Sequence, residues 1–69
     1  MKGKLVKVNG NWAVRFFESH GSDTIPIHPN DLNHQILNEG SEIEFDIHDE
    51  DTPINGRDRF ARILIQHNF

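Results

Sequence analysis

A chain of 69 residues holds one domain, spanning 1–69, with room for a thin core only. It has no cysteine, which excludes disulfides and thiolate metal centres, and its formal charge of -4 makes the whole chain a weak electrostatic trap for nucleic acid. No run of about 20 apolar residues exists, so no helix is expected to span a membrane, and MKGKLVKVNG lacks the apolar stretch of a secretion signal. A cytoplasmic protein is the expectation. The charge is segregated. Residues 1–17 carry Lys2, Lys4, Lys7 and Arg15 and no acid, residues 18–51 carry ten acids and no Lys or Arg, and Arg57, Arg59 and Arg62 follow. Basic strands lying beside an acidic strand account for this pattern, and so does a local patch for phosphates.

The elements read as follows in chain order. Residues 3–8, GKLVKV, form a strand. Asn9-Gly10 then suits a two-residue type I′ turn, which needs positive φ at both positions. Residues 11–18 return as a strand with Trp12, Val14 and Phe16 on one face and Ala13, Arg15 and Phe17 on the other. SHGSD reads as a loop. Residues 24–28 make a short strand with Ile25 and Ile27 inward, and Pro26, unable to donate to a ladder, suits an edge or bulge. Pro29 fits the first helical position, with His28 or Asn30 near the cap, and Leu32, Ile36 and Leu37 are spaced for one to two turns packing on a barrel end. Residues 42–48, EIEFDIH, alternate strictly, with Ile43, Phe45 and Ile47 inward. DEDTPINGR reads as a polar loop with a second Asn-Gly. Residues 58–66 form the last strand, with Ala61, Ile63 and Ile65 on one face.

Three strands, a short helical turn and two more strands give an all-β fold. The expectation is a five-stranded antiparallel OB-like barrel with the helical turn between strands three and four, an SH3-like barrel being the alternative. Its inward set comprises Leu5, Val6 or Val8, Trp12, Val14, Phe16, Ile25, Ile27, Ile43, Phe45, Ile47, Ala61 and Ile63.

The layout resembles a cold-shock domain. GKLVKVNG matches that family's opening strand. Ile25-Pro26-Ile27-His28 before Pro29-Asn30-Asp31-Leu32 stands where the family has a V-F-V-H-like strand end and a helical turn. Leu37 to Ile47 follows its L-x-x-G-x-x-V-x-F-x-V spacing. The resemblance spans most of the chain, chiefly at core and turn positions, and implies the barrel fold and binding of single-stranded nucleic acid. His28 carries over residue by residue. NWAVRFF replaces the family's K-G-F-G-F-I motif, with Phe17 and Trp12 as substitute aromatics, and Pro26 replaces a stacking phenylalanine. The chain is also similar to short uncharacterised proteins of bacteria and their phages, which implies no activity.

The functional expectation is a non-catalytic binding module. Single strands need exposed aromatics along a basic groove. The candidates for single-stranded DNA or RNA lie on the face of strands two and three, with Arg15 and Phe17 on the second strand and His28 projecting outward from the third, and Arg59 and Phe60 on the fifth extend the patch. The rival is a protein–protein adaptor or a self-associating structural or regulatory protein, phage-encoded among the options. It draws on an acidic face of Glu42, Glu44 and Asp46 and on the apolar end Ile65–Phe69. No cofactor is expected. The acids at 46–51 fail the calcium-loop pattern, since Pro53 and Ile54 follow Asp51, and there is no paired-histidine motif. An enzyme is not expected either, because Ser19, His20, Ser22 and Asp23 crowd one loop instead of converging from separate elements.

Overall fold

The structure is a computed structural model that describes residues 1–67. Strands β1 (Lys2–Val8), β2 (Asn11–Glu18) and β3 (Gly21–Pro26) are followed by helix α1 (Pro29–His34) and strands β4 (Glu42–Ile54) and β5 (Arg57–His67). They form one antiparallel sheet in the order β3-β2-β1-β4-β5. Three hairpin-linked strands and a fourth that returns beside the first are a Greek key.

Both Asn-Gly pairs make the hairpins. Asn9 and Gly10 have φ of 53° and 80°, and Asn55 and Gly56 have 52° and 77°, the left-handed values a type I′ turn requires. The expected loop at 49–57 is therefore strand on both sides of Asn55-Gly56. The loop expected at SHGSD is likewise short, because β2 and β3 stay paired from Ala13↔Pro26 to Glu18↔Gly21.

The expected closure into a barrel is not present. β3 and β5 are the two edges, and among the described residues they meet at the parallel bridge Ile27–Ala61 and at a bond from His28 N–H to Ala61 O at 2.9 Å. The cause lies in the chain between them. Pro26 has no N–H to donate, and Pro29 starts a helix three residues later, so β3 has no length left to zip along β5.

The inner face buries Leu5, Val14, Phe16, Ile25, Ile27, Ile43, Phe45, Ala61 and Ile63, with Trp12, Leu37 and Ile47 packed partly against them. Phe16 and Phe45 meet at 5.3 Å between ring centroids. Three expectations fail here. Val6 is half-buried and Val8 exposed, since both alternate with Leu5 or lie past the core end of β1. Ile65 is exposed because the β4–β5 register slips between Glu44↔Ile65 and Phe45↔Ile63. Leu64 is the extra residue, and it turns Ile65 to the other face. Ile36 is 84% exposed and Leu32 is also exposed, because α1 ends at His34 and only Leu37 reaches the core.

What fixes the six-residue helix is polar. Asp31 is buried, and its Oδ2 accepts from Ile63 N–H at 2.8 Å and from Arg62 Nε–H at 3.3 Å. One carboxylate thus satisfies a backbone donor on β5 and ties α1 to it.

Candidate nucleic-acid interface

The outer face of the sheet is assembled by register. The Asn9-Gly10 turn sets Lys4 opposite Arg15, and β1 pairing with β4 sets Lys4 opposite Glu42 and Lys2 opposite Glu44. Across β2, Arg15 faces Thr24 and Phe17 faces Ser22. Directly opposed residues share a face, so these side chains form one surface. There they line a depression of about 510 Å³ together with His67: Lys2, Lys4, Arg15, Phe17 and Glu42.

Two properties distinguish this surface. Phe17 is 81% exposed, an aromatic ring presented to solvent. Among the described residues, no ion pair within 4.0 Å involves Lys2, Lys4 or Arg15, although Glu42 and Glu44 stand across from the lysines. Three cations sharing a depression with an exposed ring are thus placed to meet an anion, which is what base stacking with phosphate contact uses.

Of the expected site residues, Arg15 and Phe17 come together here. His28, Arg59 and Phe60 do not. His28, expected outward, is only 5% exposed. The ladder ends at Pro26, so strand alternation no longer decides which way His28 turns. It caps α1 instead, its Nδ1 accepting from Asn30 N–H at 3.1 Å. Phe60 is 4% exposed and packs edge-on against the His28 ring at 5.4 Å. Arg59 is exposed but paired with Asp49 at 3.2 Å. Lys2 and Lys4 were missed as site residues. Counting back from the Asn9-Gly10 turn places Lys4 against Arg15 and, two residues on, Lys2 level with Phe17, so the signal was in the sequence.

His28 belongs to a separate polar cluster. Glu50 lies where residues 50–53 of β4 face the single residue Asp58, an irregularity that turns its carboxylate toward α1. Glu50 Oε1 is 2.5 Å from His28 Nε2 and 3.3 Å from His48 Nε2. Because His28 Nδ1 accepts the cap bond, Nε2 carries the ring proton and donates it to Glu50. The bond from His28, helped by the nearby His48 and Arg62, outweighs partial burial and holds the Glu50 carboxyl below the usual carboxylate range. A lowered folded pKa gives stability that is present above the unfolded value of about 4.3 and is lost as pH falls through the folded value. Glu50→Gln removes that contribution. Wild type should melt higher than Glu50→Gln at pH 6, and thermal melts should converge as pH drops from about 5 to 3. A gap that widens on acidification would contradict the assignment.

Elsewhere, Glu18, His20 and Asp23 bring ligand atoms within 4.8 Å of one another at the exposed β2–β3 turn. His20 there pairs with Glu18 at 3.3 Å and Asp23 accepts from Thr24 N–H, the bonds of a solvated turn. The acids at 46–51 form no such group among the described residues. A second depression, of about 460 Å³, lies between the two Asn-Gly turns and contains Trp12 and Arg57. Its indole is half-buried and already covered by the Lys7 ammonium, 4.9 Å from the ring centroid. No helix among the described residues is long and apolar enough to cross a membrane. Comparison with protein-family models, with characterised proteins and with solved structures finds no match to this chain.

Proposed function

We propose that this chain is a small, non-catalytic, cytoplasmic module that binds single-stranded nucleic acid on the outer face of β1 and β2. The observation that carries the reading is Phe17, exposed in one depression with Lys2, Lys4 and Arg15, none of which is ion-paired among the described residues. A base stacks on the Phe17 ring while the cations hold flanking phosphates. The acidic rows beyond keep the cationic zone short, so a single strand suits it better than a duplex, whose second phosphate row would meet Glu42 and Glu44. The resemblance to cold-shock domains points the same way. The Greek-key order and the Ile27–Ala61 contact support an OB-like arrangement, opened at the β3–β5 seam.

Fluorescence anisotropy with labelled single-stranded oligonucleotides of mixed sequence tests this. At about 50 mM salt the expected Kd lies between about 10⁻⁶ and 10⁻⁴ M. Three phosphate contacts give a slope of log affinity against log salt of about -2. No saturable change at about 100 micromolar chain would overturn the reading.

The adaptor reading draws on a different surface. Leu64, Ile65 and Ile36 are exposed, and Gln66 Nε2–H donates to Ile36 O at 2.7 Å, which brings the segment after α1 beside the end of β5. The rest of that expected apolar end, Asn68 and Phe69, lies outside the described residues. Light scattering over a concentration series reports self-association through this surface.

A further inference from the structure

The depression holds one group that an anion site does not need. Glu42 lines it beside Lys4, and register sets it opposite both Lys4 and His67. Its neighbour Glu44, two residues along the same strand, does not line the depression and lies 3.8 Å from His67. Among the described residues Glu42 makes no ion pair within 4.0 Å. An unengaged carboxylate repels phosphate, so what it favours in a bound strand is a hydrogen-bond donor. On the Watson–Crick edge cytosine and adenine offer an exocyclic amine that projects clear of the ring, whereas the one donor of thymine and uracil, N3–H, lies between two carbonyl oxygens that repel a carboxylate. Register puts Glu42 level with Arg15, so a ring stacked on Phe17 reaches it on a diagonal across β1, two strand spacings of about 4.8 Å over and one residue pair of about 7 Å along, on the side where Glu42 and not Glu44 lines the depression.

We infer that Glu42 makes this face selective for cytosine and adenine, accepting from cytosine N4 or adenine N6, while at thymine or uracil the same carboxylate meets the O4 and O2 oxygens that flank N3–H. The inference rests on the nucleic-acid reading above and deepens it. A carboxylate facing a carbonyl is repulsive and one facing an amine is a charge-assisted bond, so the selectivity has both an attractive and a repelling half.

The experiment is a competition between oligo-dC and oligo-dT of equal length, repeated with Glu42→Gln and Glu44→Gln. Both variants remove one negative charge, so both raise overall affinity and the charge effect cancels in the ratio. Wild type and Glu44→Gln should prefer oligo-dC by about fivefold to tenfold. Glu42→Gln, whose amide both donates and accepts, should bring the ratio close to one. Equal binding of the two oligomers by wild type overturns this inference and leaves the nucleic-acid reading standing. So does a dC preference that survives Glu42→Gln, or one lost equally in both variants. Failure of every oligomer to bind overturns both readings together.

Discussion

Replacing Arg15 and Phe17 together by alanine should lower oligonucleotide affinity by about 30- to 1,000-fold and leave the fold intact. Stacking on one aromatic contributes about 1–3 kcal/mol, and one phosphate contact adds about 1 kcal/mol to the loss, with each 1.4 kcal/mol worth about tenfold. The stability side rests on exposure. Phe17 is 81% exposed and Arg15 makes no ion pair among the described residues, so removing them empties no core. Surface changes of this kind stay within about 0.5 kcal/mol, which in a domain this small is a melting shift of about 2–4 °C. The single variants separate the two roles. Phe17→Ala should reduce affinity at every salt concentration and leave the salt slope unchanged. Arg15→Ala should make the slope shallower by about 0.7. A double variant that binds as wild type does would remove the proposed surface from consideration. One that melts more than about 10 °C lower would show that the ring supports the fold.

Much of the architecture is readable where local chemistry and pattern agree. Asn9-Gly10 followed by NWAVRFFE gave the first hairpin with its faces, because the turn fixes register and register fixes which side chains are buried. The strict alternation of EIEFDI likewise placed Ile43 and Phe45 in the core. Pro29 located the helix start, and His28 was one of two caps expected. What stayed hidden depends on long-range pairing. The slip at Leu64 carries no glycine or proline to announce it, so Ile65 continued an alternation that the sheet interrupts. DEDTPINGR reads as polar loop by composition, yet hairpin pairing across Asn55-Gly56 draws residues 49–54 into β4 and Arg57 into β5. Asp31 reads as a helix N-terminal acid, and nothing local reveals that its carboxylate is buried against Ile63 N–H. The same limit explains the divided candidate site. Arg15 and Phe17 sit on a strand whose register the sequence declares, whereas His28 and Phe60 take positions set by the β3–β5 seam, which no local signal describes.

Gly3→Ala should be the most damaging single-methyl change in the chain. Gly3 lies on β1 between Lys2 and Lys4, paired with Ile43, and it faces inward. A Cβ there would lie 2.7 Å from Val14 Cγ1, 2.8 Å from Arg15 O and 3.1 Å from Phe45 Cε1. Val14 and Phe45 are fully buried, and Arg15 O is backbone, so none of the three can swing aside. Overpacking typically costs about 1–3 kcal/mol, and a clash with the main chain of β2 belongs at or above the upper end. Against a total stability of about 3–10 kcal/mol for a domain of this size, the melting temperature should fall by at least about 12 °C. The glycine also connects the core to the surface. Because β1 lies this close to β2, Lys2 and Lys4 project onto the face that holds Arg15 and Phe17. A β1 displaced by the extra methyl carries both lysines with it. At about 10 °C, where a destabilised variant remains mostly folded, Gly3→Ala should therefore bind oligonucleotide more weakly than wild type although no ligand-facing side chain has changed. A wild-type melting temperature for Gly3→Ala would mean that β1 can move off β2 without cost, and the close approach would then not be what positions the lysines.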